Sequence, residues 1–227
     1  MLTGRTINGK LLGPGQTLVC LGDSVTTAPA GYVTTVSQTL ALKFPESPPS
    51  VLNAGAGCNT AGHMLARFEH DVLARKPHWV TIMAGVDDTV HELQTARQAI
   101  KHAQSETSAD QFGIAIEQMV RTAKAADVRV ALCTPNHVED HWTGDERLAN
   151  RCLRARTARL HRIAARDGVL LIPTGEVLLT AARAAAERNQ PLRLTDDGLH
   201  PNAMGHALFA LTFLAAFDYP LDLSRLA

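Results

Sequence analysis

The chain contains 227 residues, 45% of them hydrophobic and 19% charged, and its 22 basic and 22 acidic residues give a formal net charge of zero. This size and composition are typical of one globular domain, and the balanced charge argues against nucleic acid or an anionic membrane as a partner. We therefore predict a single domain over residues 1–227, with residues 1–16 as a polar N-terminal extension that lacks the apolar core of a signal peptide.

Short apolar segments alternate with longer amphipathic segments along the whole chain. The apolar segments predict strands at residues 17–21, 50–53, 79–83, 128–134 and 169–172. The amphipathic segments predict helices at residues 31–44, 60–75, 111–126, 146–166, 176–187 and 202–217. The apolar part of the last helix is about half the length that a membrane span needs. This alternation predicts an α/β fold in which helices cover both faces of a parallel sheet.

Each loop with chemically suggestive side chains follows a predicted strand, at residues 22–27, 54–60, 84–89 and 134–144. In an open parallel sheet, reactive groups collect at the carboxyl ends of the strands. We therefore expect these loops to meet at one edge of the sheet.

The cysteines have neither CxxC pairing nor the spacing of a zinc site; they are Cys20, Cys58, Cys133 and Cys152. Two of them fall inside predicted strands, where a thiol behaves as a small hydrophobic group. We predict reduced thiols in a cytoplasmic protein. The arginine-rich run at residues 147–166 is interpreted as the solvated face of a helix rather than a phosphate-binding patch.

The first candidate for chemistry is Ser24, which ends the segment Gly22-Asp23-Ser24 directly after the first predicted strand. A serine in this position is often only the N-cap of the next helix. The far end of the chain supplies the other parts of a nucleophilic site, Asp197 and His200, with a spacing of three residues. A histidine that removes the serine proton, and a carboxylate that orients that histidine, activate a serine for acyl transfer. Asp196 is a competing acid.

A second histidine pattern, His137 and His141, has a spacing that on a helix could place two metal ligands on one face. Because it follows a predicted strand and a proline, we interpret it as an active-site loop and predict no metal and no organic cofactor. Trp142 in the same segment is either a wall of the acyl pocket or a surface-packing residue.

Four ordered segments resemble the sequence blocks of the SGNH (GDSL-type) hydrolases: residues 22–24, 53–60, 85–88 and 197–202. The resemblance extends over about residues 17–216, and its first and last blocks are specific in combination. It implies a flavodoxin-like three-layer α/β/α sandwich with a five-stranded parallel sheet, and esterase, lipase, thioesterase or carbohydrate deacetylase activity. It also implies that Ser24 is the nucleophile, His200 the base and Asp197 the residue that orients this base.

The same resemblance implies an oxyanion hole made by the serine N–H, a glycine N–H of the second block and an asparagine amide of the third block. Here Cys58 stands at the glycine position, although Gly57 could fill the role after a shift of one residue. Asp87 stands at the asparagine position, and an ionised carboxylate cannot donate a hydrogen bond.

Three explanations of Asp87 are open. In the first, the carboxyl group is protonated because a low-dielectric pocket, or a neighbouring acid such as Asp23 or Asp88, raises its pKa. In the second, Asn59 supplies a substitute amide. In the third, the site has altered chemistry, and Asp87 binds a cationic or hydroxylated substrate.

We predict a serine-dependent hydrolase that cleaves a small or medium acyl ester through an acyl-enzyme intermediate, with a small-molecule acyl substrate as its partner. One alternative is an acyltransferase that uses the same site. The other is a non-catalytic binding protein on the same scaffold.

Overall fold

The computed structural model of the chain describes residues 12–102 and 109–219, so most of the predicted N-terminal extension, residues 1–11, lies outside the described part. The described residues contain one five-stranded sheet with the order β2-β1-β3-β4-β5, in which every neighbouring pair is parallel. The strands are β1 (Thr17–Gly22), β2 (Ser50–Gly55), β3 (Trp79–Met83), β4 (Arg129–Cys133) and β5 (Leu170–Ile172). This is the flavodoxin-like strand order, and it confirms the predicted fold class.

The helices connect consecutive strands and then close the chain. They are α1 (Ser24–Thr27), α2 (Tyr32–Lys43), α3 (Ala61–Ala66), α4 (Phe68–Asp71), α5 (Val86–His102), α6 (Ala109–Ala125), α7 (Glu146–Asp167), α8 (Thr174–Glu187) and α9 (Ala203–Ala216). A short 3₁₀ turn, Leu73–Arg75, follows α4.

The helices differ from the sequence prediction in two places. The single helix predicted at residues 60–75 is broken at Arg67, whose guanidinium donates to the carbonyls of Gly22 and Ala54 at the ends of β1 and β2. Residues 84–89 were predicted as a loop, but α5 begins at Val86. Its apolar residues are sparse, which hid the helical period, although two acidic residues in its first turn are typical of a helix start.

Alternate strand residues point to opposite faces of the sheet and form two separate cores. Val19, Leu21 and Ile82 pack in one cluster with α3, α6 and α7. Leu18, Cys20 and Cys133 pack in the other with α2, α8 and α9. The result is a three-layer sandwich. Burial raises the pKa of the Cys20 thiol to about 12, in keeping with its predicted role as a core residue.

The carboxyl ends of the strands lie side by side, with Gly22 opposite both Gly55 and Met83, and Met83 opposite Cys133. The loops that leave these residues therefore start from one edge, as predicted. In the described part of the chain, no helix combines the length and apolarity needed to cross a membrane.

Candidate active site

Ser24 lies at the tight turn between β1 and α1. It is the first residue of α1, and Asp23 is the N-cap, with its Oδ1 accepting the Val25 N–H at 3.0 Å. The interpretation of Ser24 as a mere N-cap is therefore wrong. A Cβ at Gly22 would lie 2.0 Å from Thr26 Oγ1, so the turn requires glycine there. The backbone N–H of Ser24 has no intrahelical acceptor, because it belongs to the first turn.

The structure brings His200 to Ser24 across 176 residues of sequence, with 3.0 Å between His200 Nε2 and Ser24 Oγ. The other ring nitrogen, Nδ1, lies 2.8 Å from Asp197 Oδ2. Asp196 is not the carboxylate partner, since its contact with His200 is a backbone hydrogen bond from Asp196 N to His200 O. A serine, an imidazole and a carboxylate in this sequence of contacts can move a proton from the serine to the histidine.

Asp197 also fixes its own loop. Its Oδ1 accepts the N–H groups of Leu199 at 3.0 Å and of His200 at 2.8 Å. Partial burial raises the pKa of Asp197, but these bonds and the one from the His200 ring outweigh burial and lower it to about 2. The carboxylate is therefore ionised at neutral pH.

The loop that carries His200, residues 194–200, is here called the histidine loop. The loop after β4 holds it in place through side chains that were not among the predicted site residues. Asn136 Nδ2 donates to the Leu199 carbonyl at 2.9 Å. Glu139 accepts from Leu194 N at 2.9 Å and from the Thr195 hydroxyl at 2.6 Å. The position of Asn136 and Glu139 directly after a predicted strand was the one sequence signal for a role at the site. Their hydrogen-bond partners are backbone groups and the Thr195 hydroxyl, and a sequence does not show such pairings.

Trp142, from the same loop, packs beside the histidine loop. Gly198 has a φ of +87°, and a Cβ there would lie 2.4 Å from Trp142 N. Trp142 is part of an apolar cluster with Val86, Val138 and Leu199. The tryptophan therefore supports the backbone next to His200, which favours the packing role among the two that its sequence position allowed.

His137 and His141 both lie in that loop, between β4 and α7. Among the residues that the structure describes, no group of three or more His, Cys, Asp or Glu side chains could hold a metal ion.

The loop after β2 presents Cys58 in a left-handed conformation, with a φ of +60°. Glycine is the usual residue in this conformation, so the backbone supports the alignment that puts Cys58 at the glycine position. Gly57 carries no such requirement, since a Cβ there would meet no atom within 4 Å. The Cys58 thiol is exposed. Of these two residues, Cys58 is the better candidate for a backbone donor.

The amide of Asn59 is engaged within its own region. Its Oδ1 accepts from Arg67 Nε at 2.8 Å, and its Nδ2 donates to the Gly57 carbonyl at 3.2 Å. Asn59 therefore holds the shape of this loop, and we do not assign it as a substitute oxyanion donor.

Asp87 and Asp88 form the first turn of α5, beside the other loops of the edge. Both Asp88 oxygens accept the Ala61 N–H, each at 3.1 Å, which ties α5 to the start of α3. Asp87 is half-buried, and its Oδ2 is a buried atom without a hydrogen-bond partner among the described residues. Burial raises the pKa of Asp87, while the charges of His200 and His63 lower it.

Asp23 is the most deeply buried carboxyl group of the site, with 1% of its surface exposed. Burial, followed by the charge of Asp87, raises its pKa from 3.8 to about 8, against the hydrogen bond from Val25, which lowers it. The folded protein therefore binds a proton that the unfolded chain releases as the pH rises above about 4. This contribution to stability is complete below that pH and is lost as the pH rises towards 8.

We expect Asp23→Asn to raise the Tm at pH 8 by several degrees and to flatten its fall between pH 5 and pH 8, because each kcal/mol shifts a domain of this size by about 2–4 °C. Asparagine keeps an acceptor for Val25 and has no charge to bury. Thermal unfolding by circular dichroism measures the effect, with Asp140→Asn at an exposed loop position as the matched control. An equally steep fall of Tm in Asp23→Asn and wild type would contradict it.

Comparisons with known proteins match this chain over most of its length. Residues 20–208 match the model of the GDSL-like Lipase/Acylhydrolase family. An acetylxylan esterase from Geobacillus stearothermophilus is 29% identical over an alignment of 233 residues, gaps included. The alignment covers 94% of this chain and 99% of the relative.

Two solved structures have closely similar folds. LAE5, an alpha/beta hydrolase enzyme from the metagenome of Lake Arreo, has a TM-score of 0.79 at 24% identity, covering 94% of this chain and 100% of its own. Axe2, an acetylxylan esterase from Geobacillus stearothermophilus, has a TM-score of 0.74 at 26% identity, covering 93% and 99%. Catalytic mutants of Axe2 have a serine, an aspartate or a histidine replaced by alanine.

Proposed function

Because the chain belongs to the GDSL-like lipase/acylhydrolase family, we propose that it hydrolyses small or medium acyl esters through an acyl-enzyme on Ser24. The observation that carries this proposal is the contact of 3.0 Å between Ser24 Oγ and His200 Nε2. The acetylxylan esterase relative supports a carboxylic ester as substrate and makes a carbohydrate acetate the first candidate.

In the acylation step, Ser24 Oγ attacks the carbonyl carbon while its proton passes to His200 Nε2. The Asp197 carboxylate stabilises the imidazolium that forms, because it accepts from the opposite ring nitrogen. The electron pair of the carbonyl bond moves onto its oxygen, and the N–H groups of Ser24 and Cys58 stabilise this oxyanion. Collapse expels the alcohol, which takes the proton from His200.

In the deacylation step, water attacks the ester on Ser24 with His200 as the base, and the acid leaves as Ser24 regains its proton. The exposure of the site favours water over another acceptor. The side chain of His200 is 45% exposed and that of Asp197 is 56% exposed, so the base reaches solvent. A transferase would need a drier site in which water does not compete.

A panel of esters tests this function. We expect release of free acid from 4-nitrophenyl acetate and from acetylated xylooligosaccharides, with turnover falling for long acyl chains. The acid and any methyl ester are measured by NMR with and without added methanol. Methyl ester as the main product would identify a transferase. Absence of turnover together with absence of a covalent Ser24 adduct would identify a binding protein.

We also propose that the protein acts as a single domain in the cytoplasm. All four cysteines are free thiols, which is typical of a reducing compartment.

A further inference from the structure

Cys58 has a backbone conformation that residues other than glycine rarely adopt. Its φ of +60° lies in the left-handed region, where the Cβ comes too close to the following carbonyl oxygen. Such a conformation persists when the surrounding structure imposes it. Because the proposed mechanism uses the N–H of Cys58, the groups that impose this conformation also set the direction of a catalytic hydrogen bond.

The side chain of Asn59 closes the loop around Cys58. Its Nδ2 donates to the Gly57 carbonyl at 3.2 Å, so the two residues on either side of Cys58 are joined to each other. Its Oδ1 accepts from Arg67 Nε at 2.8 Å. The arginine therefore connects this closed loop to the rest of the fold.

The other two nitrogens of Arg67 bond to the ends of two strands. Nη1 donates to the Ala54 carbonyl at 2.8 Å, and Nη2 donates to the Gly22 carbonyl at 2.9 Å. Ala54 lies four residues before Cys58, and Gly22 lies two residues before Ser24. One guanidinium group therefore joins the turn that carries the nucleophile to the loop that carries Cys58.

Asp71 keeps the guanidinium group in this place. It lies one helical turn after Arg67, and its Oδ2 accepts from Nη1 at 2.7 Å. The hydrogen bond from Arg67 is the largest influence on the pKa of Asp71 and lowers it, so both partners are charged at neutral pH. The Arg67 side chain is mostly buried, with 19% of its surface exposed.

We propose that Arg67 is a positioning residue that holds Cys58 in its left-handed conformation, so that its N–H and that of Ser24 stabilise the oxyanion together; this inference rests on the proposed function. Arg67 acts through the backbone and not on the reacting atoms. Its three nitrogens each bond to a different oxygen, and the single nitrogen of a lysine cannot occupy three such positions. Without these bonds, Cys58 relaxes to a negative φ, which changes the path of the loop and the direction of its N–H.

The proposal predicts a loss of turnover that depends on Cys58. In the wild-type background, Arg67→Lys should lower kcat by about 5- to 30-fold, the factor by which the left-handed conformation is disfavoured for a residue with a Cβ. In the Cys58→Gly background, the same change should lower kcat by about twofold or less, because glycine adopts a positive φ as readily as a negative one. KM should stay nearly constant, since the interaction is made only in the transition state.

The experiment measures kcat and KM for 4-nitrophenyl acetate in wild type, Arg67→Lys, Cys58→Gly and the double variant. A second set uses Asn59→Ala, alone and with Cys58→Gly. This change opens the loop around Cys58 but leaves the bonds of Arg67 to the strands, so it decides the question if an arginine variant does not fold. Arg75→Lys is the control, because it makes the same replacement at the exposed end of the 3₁₀ turn. Circular dichroism gives the folded fraction of each protein.

Equal losses of kcat from Arg67→Lys in the two backgrounds would overturn the proposal, because a general loosening of the fold does not depend on Cys58. Wild-type kcat in both Arg67→Lys and Asn59→Ala, or a rise in KM alone, would overturn it as well. These results leave the ester hydrolase intact, since the wild-type protein still turns over. Absence of turnover and of a covalent Ser24 adduct in wild type would instead overturn the proposed function, and this inference with it.

Discussion

Ser24→Ala is expected to lower kcat for ester hydrolysis by on the order of 10⁶, because it removes the hydroxyl on which the proposed acyl-enzyme forms. The residual rate should come from binding and the backbone donors alone. The hydroxyl makes its hydrogen bond with His200, and it is not the N-cap of α1, so stability should change little. The effect is measured as kcat on 4-nitrophenyl acetate.

Ser37→Ala is the matched control for this prediction. Ser37 lies within α2 and is only partly buried, so removing its hydroxyl changes composition in the same way without touching the site. A Ser24→Ala protein that kept a tenth of wild-type activity would show that the reaction does not pass through this serine.

His200→Ala should be almost as damaging as Ser24→Ala, since the serine is a poor nucleophile without a base. The double variant Ser24→Ala/His200→Ala should be no slower than either single variant, because the residues act as one unit. Asp197→Ala should cost less, on the order of 10⁴, since it removes only the orientation and charge stabilisation of the imidazole.

These rates are compared at constant pH with purified proteins whose folding is verified by thermal unfolding. Because hydrogen bonds lower the pKa of Asp197 to about 2, its carboxylate stays ionised between pH 5 and pH 9. Additive losses in the double variant would contradict the shared role of Ser24 and His200.

The sheet and the convergence of Ser24 with His200 could be predicted from sequence because each depends on a repeated local pattern. Apolar strands buried on both faces are easy to recognise, and the carboxyl-edge rule then places distant loops together without any knowledge of their paths. The resemblance to SGNH hydrolases supplied the roles of the residues.

Other features depend on tertiary contacts that a sequence does not display. The start of α5 was missed because the helix has few apolar residues. The helix break at Arg67 was missed because the guanidinium bonds to carbonyls of β1 and β2, which are distant in sequence. The hydrogen bonds by which Asn136 and Glu139 hold the loop that carries His200 also join residues that are far apart in sequence. The raised pKa of Asp23 depends on its nearly complete burial, which only the folded structure shows.

Labelling with a fluorophosphonate tests the central claim most directly, because the probe reacts with an activated serine and leaves a covalent adduct. Intact mass spectrometry should show one phosphonyl group per chain, and peptide mapping should place it on Ser24. Wild-type protein should label fully, while His200→Ala should label far more slowly. An unlabelled wild-type protein that is fully folded, or an adduct on a different residue, would contradict the assignment of Ser24 as the nucleophile.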